Sequence, residues 1–230
     1  MSMAGIQVAL VRHGTFRQPK GVPSAHLLHP LTDQGRDEAR AGALLLAEHA
    51  REQGLAIETV IDSSTLLRAF ETARLIADEL EQRGFGRFVI EEFDALTERS
   101  LGAAANLTEA EIEAIVAADP RWPALQERWK RAPDVRLPFP GAESLREAGR
   151  RVARHIAART ASFEPGPTRL KIVVGHGGAF RHAARELGVL SESDVAALSM
   201  YHAQPVYLEQ RDGRWQQVAG RWKARTSSGE

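Results

Sequence analysis

Residues 6–14 read Ile-Gln-Val-Ala-Leu-Val-Arg-His-Gly, and residues 170–178 read Leu-Lys-Ile-Val-Val-Gly-His-Gly-Gly. Each is a short, mostly apolar run that stops at a histidine beside glycine. Such a run, bounded by glycine, reads as a strand buried in the interior of a sheet. The strands are placed at Ile6–Val11 and Leu170–Val174. Between them the pattern alternates. A helix is predicted from Asp33 to about Glu52, with Ala39, Ala43, Leu46 and Ala47 on one face and Gly54 as its stop. Thr59–Ile61 is a second short strand, leading through Asp62-Ser63-Ser64 into a helix over Leu66–Gln82 that Gly84 ends. Ser64 is the expected N-cap, because its hydroxyl can accept an amide of the first turn. Further elements are a strand at Phe88–Ile90 and helices at Thr108–Ala118, Glu143–Ala161 and from Gly178 to about Leu187. A hairpin of Val206–Glu209 and Trp215–Ala219 turns on Asp212-Gly213.

Strand and helix in alternation predict one α/β domain over residues 1–230, with a largely parallel central sheet covered by helices on both faces. Residues 99–141 are less regular and rich in Trp and Pro, and read as an insertion or cap over the sheet. The tail Thr226–Glu230 is expected to be disordered.

The chain's 230 residues are enough for a substantial core. Lys+Arg and Asp+Glu both number 30. Zero formal charge gives no bulk attraction to nucleic acid or an anionic membrane, so neither is an expected partner. Cysteine is absent, which excludes disulfides, thiolate metal sites and cysteine nucleophiles. No apolar run is long enough to span a bilayer and no signal-like segment is visible, so a cytoplasmic protein, monomeric or homodimeric, is expected.

In an open α/β sheet, ligands collect outside the carboxyl ends of the strands. Those ends deliver Arg12-His13-Gly14-Thr15, then Arg68, then Glu98 with Arg99, then His176 with Gly177. A polar strand end, a tight turn, a solvated helix arginine and a surface carboxylate are the ordinary explanations of each piece taken alone. Together they form a set suited to phosphoryl transfer. Arginine's planar fork of donors matches phosphate oxygens, and it remains charged. Glycine lets backbone amides approach an anion. A neutral imidazole is a nucleophile, and neighbouring guanidinium groups disfavour its protonated form. A carboxylic acid supplies the proton that the departing alcohol needs. A metal centre is the rival for two histidines. Adjacent arginines would repel the cation, and neither cysteine nor an HExxH motif is present, so no metal or cofactor is expected.

Six segments resemble the histidine phosphatase superfamily, which includes the cofactor-dependent phosphoglycerate mutases: LVRHGT, HPLTDQGRDEA, SSTLLRAFETA, LTERSLG, PGAES and VVGHGGAFR. They come in that family's order across most of residues 6–187. The resemblance implies that His13 is the nucleophile that becomes phosphohistidine. Arg12, Arg68 and His176 would bind the phosphate, and Glu98 would donate a proton and later activate water. It implies no metal. The chain also departs from the mutases. Phe16 and Pro19 stand where those enzymes place a small hydroxyl and an asparagine. Ser100 and Leu101 follow Glu98 in place of a histidine and a tyrosine, and the stretch to PGAES is shorter.

The expected activity is therefore a phosphomonoester phosphatase acting on a small phosphorylated substrate. A bisphosphoglycerate-dependent mutase is the alternative, and a non-catalytic phosphate-binding module a third. Substrate shape would be set by Phe16, His26, His29 and residues 99–141. Trp122 and Trp129 are expected to pack in a core, and His202 is expected to be structural.

Overall fold

A computed structural model describes residues 6–23, 26–161 and 167–225; the tail reading falls outside them. In chain order the elements are β1 (Ile6–Arg12), α1 (Asp33–Gln53), β2 (Ala56–Ile57), β3 (Val60–Ser64), α2 (Leu67–Gln82) and β4 (Val89–Phe93). After them come α3 (Glu109–Ala118), α4 (Leu145–Ala161), β5 (Arg169–Gly175), α5 (Gly177–Glu186) and α6 (Glu192–Ala197). The chain closes with β6 (Leu198–Ser199), β7 (Pro205–Arg211), β8 (Arg214–Ala219) and β9 (Lys223–Ala224).

Among the described residues the main sheet has the order β4-β3-β5-β1-β7-β8, with β2 also pairing β5. Pairs β3/β4, β3/β5, β2/β5 and β1/β5 are parallel, while β1/β7 and β7/β8 are antiparallel, so β7 runs against the other strands of this sheet. Side chains alternate across β1. Ala9 and Val11 face a core shared with α1 and α2, while Val8 and Leu10 face one shared with α4 and α5. Both faces of the sheet are thus covered, as expected for parallel strands. Leu46 and Leu80, both fully buried, each contribute roughly 1.5–3 kcal/mol to that packing.

The caps follow from the sequence. Thr32 accepts the Gly35 amide to start α1, and Gly54, at φ 63°, ends it. Thr108 and Glu111 form a capping box on α3. Asp212 and Gly213 both have positive φ and make the β7–β8 turn.

Three expectations need correction. Thr59–Ile61 understates the second strand: β3 continues through Asp62, Ser63 and Ser64. Ser64 is therefore not the cap of α2, whose cap position is Leu66 with no side-chain bond. Asp62, wholly buried inside the strand, is satisfied by His155 Nε2 (2.9 Å), Arg159 Nε (2.9 Å) and Lys171 Nζ (2.5 Å). Trp122 is 46% exposed and packs in no core, whereas Trp129 is buried and donates its indole N–H to Glu113. Trp129 joins Leu101, Ala104, Ile112, Leu137 and Ala142 in a small apolar cluster of its own.

Candidate active site

Parallel pairing of β1 with β5 ends with Arg12 opposite Gly175, and the His13 amide donates to the Gly175 carbonyl at 2.9 Å. The next residue of each chain segment is a histidine. The two rings consequently meet, centroids 5.1 Å apart, both buried.

The hydrogen-bond partners define the state of each ring. Nδ1 of His13 lies 2.8 Å from the Gly14 carbonyl, which can only accept, so Nδ1 carries the proton. The lone pair of the neutral ring is then on Nε2. Burial, followed by the charges of Arg68 and Arg12, holds the pKa of His13 well below the usual histidine value. It is neutral at neutral pH, as a nucleophile must be. His176 uses both nitrogens: Arg68 donates to Nδ1 at 3.2 Å, and Nε2 donates to the Ser64 hydroxyl at 2.9 Å. Burial and then Arg68 lower its pKa too. Both ring nitrogens of His176 are thus engaged, one of them by Arg68.

Arg68, on the first turn of α2, is wholly buried. One nitrogen donates to the Leu27 carbonyl at 2.9 Å, and its guanidinium carbon sits 4.6 Å from the Phe16 ring centroid. Burial pulls its pKa down to about 10, with the negative charge of Glu98 opposing the fall. It remains a cation. Arg12 donates to the Met200 carbonyl at 2.8 Å and lines the cavity with His13.

Glu98 is pinned at the start of α5. Oε2 accepts the Gly178 amide and Oε1 accepts the amides of Ala179 and Arg99, at 3.0, 3.0 and 2.9 Å. A Cβ on residue 178 would lie 2.7 Å from Oε1, so only glycine lets the carboxyl group settle there. Oε2, with a single amide on it, is the oxygen with room for a proton. His26 donates to the Glu98 carbonyl at 3.2 Å.

Of the residues predicted from sequence, Arg12, His13, Thr15, Glu98 and Gly177 line one cavity, while Arg68 and His176 are wholly buried near His13 and do not line it. Gly14 has a packing role. Its amide donates to Thr72, and a Cβ there would meet the Gly35 carbonyl oxygen at 2.3 Å. Thr15 gives both its amide and its hydroxyl to the Glu38 carboxylate, at 2.7 and 2.9 Å. His29 does not line the cavity, nor does either Trp122 or Trp129. His202, expected to be structural, lines the same cavity. Its ring is 5.7 Å from that of His13, and its Nδ1 is 3.1 Å from the Thr15 hydroxyl. Because that hydroxyl's hydrogen goes to Glu38, His202 donates. No group of metal-ligating side chains is found among the described residues.

Residues 8–223 match the model of the histidine phosphatase superfamily (branch 1). A 2,3-bisphosphoglycerate-dependent phosphoglycerate mutase of Parvibaculum lavamentivorans is 32% identical over 212 residues, which is 89% of this chain and 90% of that one. A second such mutase, from Gloeobacter violaceus, is 33% identical over 192 residues, 82% and 78% of the two chains. Among solved structures, the fold is that of a mycobacterial glucosyl-3-phosphoglycerate phosphatase, with 24% identity and a TM-score of 0.71 over 96% of this chain and 100% of that one. It is also that of the alpha-ribazole phosphatase of Shigella flexneri, with 20% identity and a TM-score of 0.67 over 92% and 94%. The chain belongs to branch 1 of the histidine phosphatase superfamily.

Proposed function

We propose that the protein is a phosphomonoester phosphatase working through a phosphohistidine on His13. The observation that carries the reading is the His13 ring itself. Its Nδ1 proton is fixed on the Gly14 carbonyl, its lone pair is on Nε2, and two guanidinium groups stand beside it. Nε2 attacks phosphorus as the ester P–O bond breaks, and Glu98 gives its proton to the departing alkoxide oxygen. Arg12 and Arg68 hold the phosphoryl oxygens, with His176 keeping Arg68 in place. Water then attacks the phosphohistidine, Glu98 takes its proton, the P–N bond breaks, and inorganic phosphate leaves. The proposal includes a cytoplasmic, single-domain enzyme with residues 99–141 as its cap. The wider setting is a small phosphorylated substrate, no nucleic acid or membrane partner, and a monomer or homodimer. No helix among the described residues is long and apolar enough to cross a membrane.

The mutase is the second reading, favoured by the names of the relatives more than 30% identical. Against it, a mutase must retain a bisphosphate intermediate through reorientation. Here the Phe16 ring stands nearly perpendicular to that of His13, centroids 5.2 Å apart, and Pro19 forms cavity wall, where the resemblance to the mutases would place two polar contacts. Phosphate release should be measured against interconversion of phosphoglycerates, with and without 2,3-bisphosphoglycerate. Release that needs no bisphosphate supports the phosphatase, and phosphate migration that requires it supports the mutase. Labelling from substrate should be acid-labile, alkali-stable and lost in His13→Ala. A labelled His13→Ala protein would sink the mechanism.

A further inference from the structure

The cavity at Arg12, His13 and Glu98 has a volume of about 900 Å³, room for an organic leaving group as well as a phosphate. Its wall is cationic: seven Lys or Arg residues line it against three Glu, in a chain whose two kinds of charge balance at 30 each. The three carboxylates already have partners. Glu98 accepts backbone amides, Glu109 is paired with Lys130 at 2.5 Å, and Glu192 is held by Arg146 and Arg185, neither of which lines the cavity. The excess is larger than one phosphoryl group uses. In the proposed mechanism that group takes Arg12 and Arg68, and Arg68 is not part of the wall.

Arg99 is the clearest surplus cation. It follows Glu98 directly and gives its amide to Glu98 Oε1 at 2.9 Å, which sets it beside the proton donor, where the alcohol departs. It is 5% exposed and lines the cavity. Its guanidinium carbon lies 5.7 Å from the ring centroid of Trp129, against the small apolar cluster of residues 101–142. The guanidinium makes no hydrogen bond or ion pair with the described residues, and none of its nitrogens is sealed from solvent, so its donors open on the cavity. Burial lowers its pKa, and the negative charges of Glu98, Glu143 and Glu109 oppose the fall. None of those carboxylates closes on it, because Glu143 too is taken, by Arg151 and the Ser100 amide. A buried cation is costly until an anion pairs with it.

More positive charge reaches the same wall from the far end of the chain. β6 pairs with β9, and the Arg225 amide donates to the Ala197 carbonyl at 2.8 Å, which brings Arg225 to the cavity. Its effect is felt by Arg181, whose guanidinium donates to the carbonyls of Gly177, Val195 and Leu198. Burial, and then the charge of Arg225, bring the pKa of Arg181 down to about 9, with Arg12 and Arg131 acting the same way and Glu98 opposing. Guanidinium groups that repel one another across a cavity favour a ligand that carries negative charge.

We propose that the leaving-group side of the cavity is an anion subsite: the substrate is the phosphate ester of an alcohol that itself carries a carboxylate or a second phosphate. Arg99 receives that group, and Arg225 adds to the charge that attracts it. The inference rests on the phosphatase reading above.

The test measures phosphate release by the full chain from three esters of matched chain length: propyl phosphate, 3-(phosphonooxy)propanoate and propane-1,3-diyl bisphosphate. At least one of the two anionic esters should have a kcat/KM about tenfold or more above that of propyl phosphate, as one charge-assisted hydrogen bond would give. The better of the two identifies the group received as carboxylate or phosphate. Arg99→Gln should cut that advantage about fivefold or more. Because Arg99 is buried and its replacement can disturb folding, Arg225→Glu serves as the second variant. Its backbone amide stays on the Ala197 carbonyl, and the reversed charge should also shrink the advantage. Equal use of the three esters, a preference for propyl phosphate, or an advantage that both variants leave intact overturns the subsite while leaving the phosphatase standing. No phosphate released from any of the three overturns the phosphatase reading and the subsite with it.

Discussion

Replacing Arg68 with alanine tests the electrostatic logic of the site, because this side chain acts on both histidines and, in the proposed mechanism, on the phosphate. A charge-assisted hydrogen bond contributes about 1.5–3 kcal/mol. At about 1.4 kcal/mol per factor of ten, Arg68→Ala should weaken inhibition by inorganic phosphate roughly 10- to 150-fold. It should lower kcat/KM by at least as much. There is a second signature. After burial, the charge of Arg68 is the next cause lowering the pKa of both His13 and His176. Removing it raises both values. His13 attacks only when neutral, so the acid limb of the kcat/KM profile should move to higher pH. Arg68→Lys keeps the charge but cannot serve the Leu27 carbonyl and His176 together, as the fork does at 2.9 and 3.2 Å. It should therefore fall between alanine and wild type. The Leu27 carbonyl loses its donor in the alanine variant, which costs about 1–3 kcal/mol of stability, so assays belong well below its melting temperature. Phosphate inhibition within twofold of wild type, together with an unmoved acid limb, would put Arg68 outside the working site.

Glu98→Gln should slow phosphoenzyme formation from alkyl phosphates by about 10²–10⁴-fold and from p-nitrophenyl phosphate far less, because nitrophenolate leaves without a proton; equal losses in rapid-quench experiments would reduce Glu98 to a packing role. With p-nitrophenyl phosphate the same variant should show a burst, since breakdown of the phosphohistidine needs Glu98 as base. Asp62→Asn should cost about 3–5 kcal/mol, because it leaves Lys171 and Arg159 facing a neutral group in a buried site, and calorimetry should show a melting temperature lower by roughly 6–20 °C. Burial alone would raise the Asp62 pKa, but His155, Lys171 and Arg159 outweigh it and hold the folded value below the ordinary one. Its stabilisation is thus complete above the unfolded value of about 3.9 and lost as pH falls through the folded one. Denaturation curves from pH 6 to 2 should show that loss in wild type and a shallower one in Asp62→Asn.

What the sequence made legible, and what it hid, divides along a physical line. β1 and β5 were readable because strands buried on both faces must be apolar throughout, and their glycine ends show where they stop. The site residues at those ends followed from the general placement of ligands in parallel sheets. Asp62 concealed the end of β3, since a carboxylate inside a strand is sensible only once Lys171, His155 and Arg159 are known to surround it. Ser64 was misread for the same reason. Its hydroxyl serves His176, a partner 112 positions away, as well as the nearby Leu66 amide. His202 is an equally distant case: Thr15 lies 187 positions from it. No local pattern announces such a pairing. The two-residue strands β2, β6 and β9 and the six-residue α6 are too short to generate a period.

The site's electrostatics also show why its residues need one another. In the proposed mechanism the two imidazoles, held below their usual pKa, serve as nucleophile and positioning group and do not compete with Arg12 and Arg68 for the role of cation. The guanidinium groups supply the positive charge, and they supply it from a buried position where water screens little. Glu98 supplies the opposing charge nearby, yet its carboxyl oxygens are tied to the amides of Arg99, Gly178 and Ala179 rather than to either arginine. Glu98 is thus held at the start of α5 by backbone donors. Gly178 is therefore required where Glu98 sits: by having no Cβ, it lets the carboxyl group rest against the amides at the start of α5.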